Sequence, residues 1–321
     1  MSDFDLDRYL RASGRVDLSG VAWERIGDFP LHPTEARCLA YMMDIESHTV
    51  VFLRDLLATR AVFDPDVTAF LSCWVYEELW HGEAFSRFLG EAGYVLAPDR
   101  EAVTGDAAYP SKVARNAWIR RSVGRGATLS HLATMLGSAM TRDFVAVHMT
   151  WGAVNELSTL TGYQALIEQT DHPILRDLLR AIIKDERRHF AFYRSQARAR
   201  LSGSRNAQRI TRWAMQRLWA PVGTGVRPQL ETDFVIGALF GDEAGARRLD
   251  ECDAIIRELP GFGAARLLAR SRTQAMERLS PSDVAAATTP ESMAAAGLHR
   301  RRDLAPPHAA GETPSLMTAS H

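Results

Sequence analysis

The chain has 321 residues, 46% of them hydrophobic and 24% charged, with a formal net charge of −1. Such a composition belongs to a globular chain large enough for one sizeable domain or two small ones, and near-zero charge excludes a bulk attraction to nucleic acid or to a membrane surface. Three cysteines, Cys38, Cys73 and Cys252, form no CxxC pair, which excludes a thiolate zinc site and a disulfide framework and fits a reducing compartment.

Residues 1–33 read as an irregular lead-in containing Pro30 and Pro33. The N-terminus carries acids where a signal peptide needs bases, and no run of about 18 apolar residues occurs, so the expected address is the cytoplasm. A first long helix is predicted from about Thr34 to Arg60. Asp64-Pro65 then joins an N-cap to proline at the first helical position and opens a second helix reaching about Ala92. Glycine and proline punctuate 93–110, and 111–125 read as a short basic helix. A long segment from Thr128 to about Gln169 follows, and Asp171-His172-Pro173 starts the next helix, to about Leu201. Shorter helices fill 205–219, 231–240, 243–258 and 261–279. From Ser280 onward apolar periodicity fades, so 280–321 are expected to be disordered. The expected class is all-α: a four-helix bundle over 34–201 with a helical insertion at about 94–127, further helices over 202–279, and a tail.

The apolar stretch WVYEELWHGEAF, residues 74–85, carries Glu78 and His81 three positions apart. A second ExxH, Glu186 and His189, lies in AIIKDERRHFAFY. Spacing i, i+3 puts both side chains of a pair on one helix face, where they can share one cation. Chance alone yields roughly half an ExxH in a chain of this composition, so two pairs decide little. The other long helices add Glu46, among Met, Ile, Val and Phe, and Glu156, in the middle of its segment. Taken singly, Glu46 and Glu156 read as solvated-face residues and His81 as a core histidine. As an ordered set they read Glu, ExxH, Glu, ExxH, one group per long helix, which is the ligand set of di-metal carboxylate bundles. Four carboxylates can neutralise and bridge two divalent ions while two imidazoles give each ion one nitrogen. Hard oxygen donors with some nitrogen suit iron or manganese. Without metal, so many ionisable groups aimed into one core would be very costly.

These residues resemble the acyl-carrier-protein desaturase branch of the ferritin-like superfamily over roughly residues 35–200. Trp74, Glu77, Glu78, His81, Gly82 and Glu83 reproduce its second-helix motif, Glu156 with Thr159 its third, and Asp185, Glu186, Arg187, Arg188 and His189 its fourth. The resemblance implies a ferritin-like di-iron bundle with Glu46, Glu78, His81, Glu156, Glu186 and His189 as ligands and O2 as co-substrate, a Mn/Fe pair being the other loading. It implies Thr159 beside the oxygen-binding face as a proton-delivering residue, Glu77 and Asp185 as acceptors for the imidazole N–H groups, and Trp74 packed near the cluster. The stretch from His81 to Glu156 is considerably longer than in the plant-type desaturases, so a fit to a long acyl chain does not carry over. Phe85 stands where ribonucleotide reductase small subunits carry a radical tyrosine, and Ile182 where arylamine N-oxygenases carry a third histidine. His48 and His148 read as surface or core histidines.

The expected activity is O2-dependent desaturation or hydroxylation of an organic substrate; a ferroxidase or iron store, and a metal-free helical interaction protein, are the alternatives. Such an enzyme needs an electron donor such as a ferredoxin or flavin reductase. Residues 187–217 hold nine Arg and no acid, a surface that fits an acidic acyl carrier protein or else a solvated face. Neither membrane nor nucleic acid is expected as a partner, and homodimers are common among such relatives.

Overall fold

Three of the four long helices begin where a side chain satisfies free N–H groups of the first turn; Phe144–Gln169 starts without such a cap. The His32 ring accepts from Thr34 N at 3.2 Å while Glu35 accepts from His32 N at 2.7 Å, closing a capping box for the helix Pro33–Leu57. Asp64 accepts from the amides of Asp66 and Val67 to start Pro65–Glu91, and His172 accepts from Leu175 N to start Pro173–Gly203. All three carry proline in the first turn, where its missing N–H costs nothing.

The computed structural model describes residues 4–96 and 125–301. In chain order the helices are α1 (Leu6–Ala12), α2 (Pro33–Leu57), α3 (Pro65–Glu91), α4 (Arg125–Met140), α5 (Phe144–Gln169), α6 (Pro173–Gly203), α7 (Arg205–Arg217), α8 (Gln229–Phe240), α9 (Glu243–Arg257), α10 (Leu267–Arg278), α11 (Pro281–Ala286) and α12 (Pro290–Ala295). The fold is all-α. Its one strand pair among the described residues joins Tyr94–Val95 to His299–Arg300, antiparallel. No helix there is long and apolar enough to cross a membrane.

α2 pairs with α3 and α5 with α6, and α3 also packs on α6, giving a four-helix bundle. Its core-facing stripes explain why charged residues end up inside. Along α3 the buried set Leu71, Trp74, Glu78, His81, Phe85 and Phe88 recurs every three or four residues. Along α6 Leu175, Leu179, Ile182, Glu186, His189 and Tyr193 do the same. The ExxH pairs therefore occupy positions where the period demands leucine. α8, α9 and α10 pack against each other; α8 and α9 also pack on α5, and α8 on α2.

Several sequence expectations are corrected. The irregular lead-in contains α1 and a 3-10 helix at Trp23–Asp28, and α1 buries Tyr9 against the bundle. The segment expected to be continuous from Thr128 to Gln169 breaks at 141–143, between α4 and α5. The predicted disorder from Ser280 does not extend over 281–301, where α11, α12 and the second strand form and bury Met293 and Leu298. Arg37 on α2 holds that segment through Ser292 Oγ at 2.9 Å and the Ala287 carbonyl. All but Arg125 of the expected basic helix at 111–125, and most of the expected insertion, lie outside the described residues, as do 302–321.

Candidate metal centre

Glu46 comes from α2, Glu78 and His81 from α3, Glu156 from α5, and Glu186 and His189 from α6, and all six side chains are buried. They fall into two overlapping groups. One ligand atom from each of Glu46, Glu78, His81 and Glu186 lies within 4.8 Å of the others, and the same holds for Glu78, Glu156, Glu186 and His189. Glu78 and Glu186 belong to both groups.

The two imidazoles are mounted alike. His81 turns Nδ1 toward Glu78 at 2.9 Å and Glu186 at 3.1 Å, and its Nε2 lies 3.2 Å from Asp185. His189 turns Nδ1 toward Glu78 at 3.1 Å and sets Nε2 2.6 Å from Glu77. An acid on the outer nitrogen fixes the tautomer that leaves Nδ1 as the inward donor atom. The backing acids are themselves held. Glu77 accepts from Tyr9 at 2.8 Å and from Gly14 N at 3.2 Å, and Arg188 reaches Asp185 at 2.5 Å and Glu77 at 3.4 Å. On the other side Trp74 Nε1 donates to Glu156 at 3.0 Å, and Tyr163 donates to Glu46.

The electrostatics of the cluster are frustrated. Burial, then the neighbouring Glu78 and Glu186 carboxylates, push the Glu46 and Glu156 acids well above the ordinary carboxylate range. Burial opposes ionisation of Glu78 too, but His189 and His81 outweigh it and hold this carboxyl low. Burial disfavours the imidazolium at both histidines, yet for His81 Asp185, Glu186 and Glu78, and for His189 Glu78, Glu186 and Glu77, outweigh it and raise the ring above its usual value. Both carboxylate oxygens of Glu186 and Nδ1 of His189 are buried without an aligned hydrogen-bond partner. Unsatisfied acceptors at the centre of a carboxylate cluster are what a cation would satisfy, and its positive charge would reverse the mutual repulsion of the acids. The donor set of carboxylate oxygen and imidazole nitrogen therefore fits a hard or borderline metal ion.

Thr159, one turn beyond Glu156, is half-buried and lines two cavities that meet the cluster. The wider, about 430 Å³, is lined by Glu46, Glu78, Glu156 and Glu186 within and by His48, Thr49 and Asn155 nearby. The 218–226 loop lies along it, and Tyr41 donates to Val222 O at 2.6 Å. Gly223, at φ +94°, is where this loop crosses Tyr41, and a Cβ there would lie 2.0 Å from the phenol oxygen.

Tyr9, Tyr163 and Tyr193 escaped the sequence reading, and Arg188 entered it only as a motif match, without its contacts to Asp185 and Glu77. Tyr163 was discoverable, since it stands seven residues after Glu156 and so on the same helix face. Tyr193 packs where Gly152 leaves room, because a Cβ at Gly152 would lie 2.4 Å from its ring. No protein-family model matches this chain, and neither a curated protein nor a solved structure matches it.

Proposed function

We propose that this chain is an O2-activating di-iron oxidase or oxygenase of the ferritin-like superfamily, acting on an organic substrate. The observation that carries the reading is the pair of four-ligand groups joined through Glu78 and Glu186. Glu46 and His81 would hold one ion and Glu156 and His189 the other, with Glu78 and Glu186 between them. Two iron ions held there would supply the reduction of O2, with electrons from an external donor, and the oxidation of a substrate C–H bond to a hydroxyl or a double bond.

The protein's own residues do the rest. Asp185 and Glu77 orient the imidazoles, and Trp74 and Tyr163 orient the carboxylates of Glu156 and Glu46. Phe70, stacked on Phe192 at 3.8 Å and edge-on to His189, walls the histidine side against water. Thr159 lines both cavities beside Glu46, and its hydroxyl would hold a proton for delivery. The smaller cavity, almost entirely apolar, suits an organic substrate rather than an iron path, whose walls carry acids; the wider one, with Glu46, Glu78, Glu156 and Glu186 on it, suits either. The exposed face of α7, with Arg205, Arg209, Arg212 and Arg217 and no acid, suits an acidic electron donor or an acyl carrier protein.

O2 uptake by the iron-loaded chain tests the reading. Uptake that requires both a reductant and an organic substrate supports it. Uptake driven by ferrous iron alone, with iron retained as mineral, points to iron handling instead.

A further inference from the structure

Behind Glu46 and Thr159 lies a second, smaller cavity of about 100 Å³, lined by α2, α5, α8, α9 and α10. It shares Ile45, Glu46, Thr159, Pro221 and Val222 with the wider cavity at the cluster. Its walls are Met42, Val235, Leu239, Phe240, Leu249 and Leu268. Apart from Glu46 and Thr159 at its junction with the wider cavity, the polar side chains along it face other partners. Tyr41 donates to Val222 O at 2.6 Å, Ser158 to Asn155 O at 2.7 Å and Ser271 to Leu267 O at 3.0 Å. Tyr163 is engaged by Glu46, and Arg272 spans the carbonyls of Phe240 and Gly241 at 2.5 and 2.7 Å. A ligand entering from the cluster would meet hydrocarbon.

One wall residue stands out. Gly162 lies within α5, and a helix interior disfavours glycine more than any residue but proline. Neither close packing nor a left-handed backbone demands it: a Cβ there would meet only Leu239 Cδ1 at 3.7 Å and Met42 Cε at 4.0 Å, ordinary contact distances. By contrast, Gly152 on the same helix is needed sterically, against Tyr193. The missing side chain at Gly162 leaves volume in the cavity, at the helix-propensity cost of a mid-helix glycine.

We propose that this cavity binds a short apolar branch of the substrate, that Gly162 sets its depth, and that the polar remainder of the substrate sits in the wider cavity near His48, Thr49 and Asn155. An apolar cavity of about 150 Å³ accepts benzene, so this one takes roughly four carbon atoms. The substrate class is a small polar molecule with an aliphatic group of that size, and a long acyl chain is excluded from this pocket. The inference rests on the oxidase reading only in calling the occupant a substrate.

The test titrates straight-chain primary alcohols, from ethanol to octanol, into the full chain with and without bound iron. Methyl resonances of Met42 and Leu239 report occupancy. Affinity should rise about fourfold per added methylene up to butanol and then level off. Gly162→Ala should shorten the optimum by about one carbon, and Gly162→Leu should abolish the Met42 and Leu239 shifts. A rise that continues through octanol, or an absence of shifts at these methyls in the unsubstituted chain, would overturn the proposal without requiring any variant to fold. Alcohol binding as expected in a chain that takes up no metal would leave the pocket standing and remove the oxidase reading. Iron binding without alcohol binding would do the reverse.

Discussion

The two sides of the ligand cluster are built on opposite plans. On the side of α3 and α6 each imidazole is backed by an acid from the facing helix, His81 by Asp185 and His189 by Glu77, and Arg188 and Tyr9 close the network. On the side of α2 and α5, Glu46 and Glu156 each have one aromatic donor, Tyr163 or Trp74, and face the cavities. The first side is over-determined and sealed; the second is sparsely bonded and open. An acid on the outer nitrogen of each imidazole holds the ring orientation, so the closed side fixes the inward donor atoms. The open side leaves room for a ligand.

The sharpest way to break this comparison is at the carboxylates common to both groups. Glu186→Ala should remove tight binding of both metals, and Glu156→Ala should weaken chiefly one, read as metal per chain after dialysis. Equal losses in the two variants would contradict the division into two groups.

Next in size is the closed side itself. Glu77→Ala strips the partner from His189 Nε2 and from the Tyr9 hydroxyl. Outer partners of this kind are worth about 10- to 100-fold in metal affinity, so competition against a chelator should show a loss in that range. Asp185→Ala should cost less, because among the described residues Asp185 holds His81 and Arg188, whereas Glu77 holds His189, Tyr9, Gly14 and Arg188. An unchanged affinity in Glu77→Ala would make the backing acids mere core residues.

His148 supplies an internal control. It is a buried imidazole on α5, edge-on to Phe144 at 5.0 Å, with an Nε2 that finds no hydrogen-bond partner among the described residues. Burial pushes it down to about 4, the opposite direction from His81 and His189. The unfolded chain, with its histidine near 6.5, then binds more protons than the folded chain between pH 6.5 and 4, so stability falls as pH drops through that window. The loss should be on the order of 2 kcal/mol by pH 5, and His148→Phe should flatten that part of a denaturant-midpoint profile. Thr159→Val is the mildest change: metal content should not move, while O2 use should uncouple from product. Unaltered coupling would reduce Thr159 to a packing residue.

The buried carboxylate and histidine cluster was legible because a charged residue at a core position breaks the hydrophobic period, and four such breaks arrive in a fixed order along four helices. The helix starts at Pro65 and Pro173 were legible for a local reason, a cap beside a proline. What stayed hidden depends on contacts remote in sequence. Tyr9 reaches Glu77 across 68 residues from a helix of seven, too short to show periodicity. The break at 141–143 carries neither glycine nor proline. The order of 281–301 comes from Arg37 and from the pairing of Tyr94 with Arg300, neither visible in an alanine-rich stretch. The apolar cavity is a property of helices from both ends of the chain and has no motif at all.

The most direct test of the account is metal stoichiometry in the full chain after anaerobic iron loading and dialysis, measured beside Glu186→Ala. The account predicts about two irons per chain and loss of both in the variant. No retained iron in the natural chain, or the same iron content in both, would contradict it.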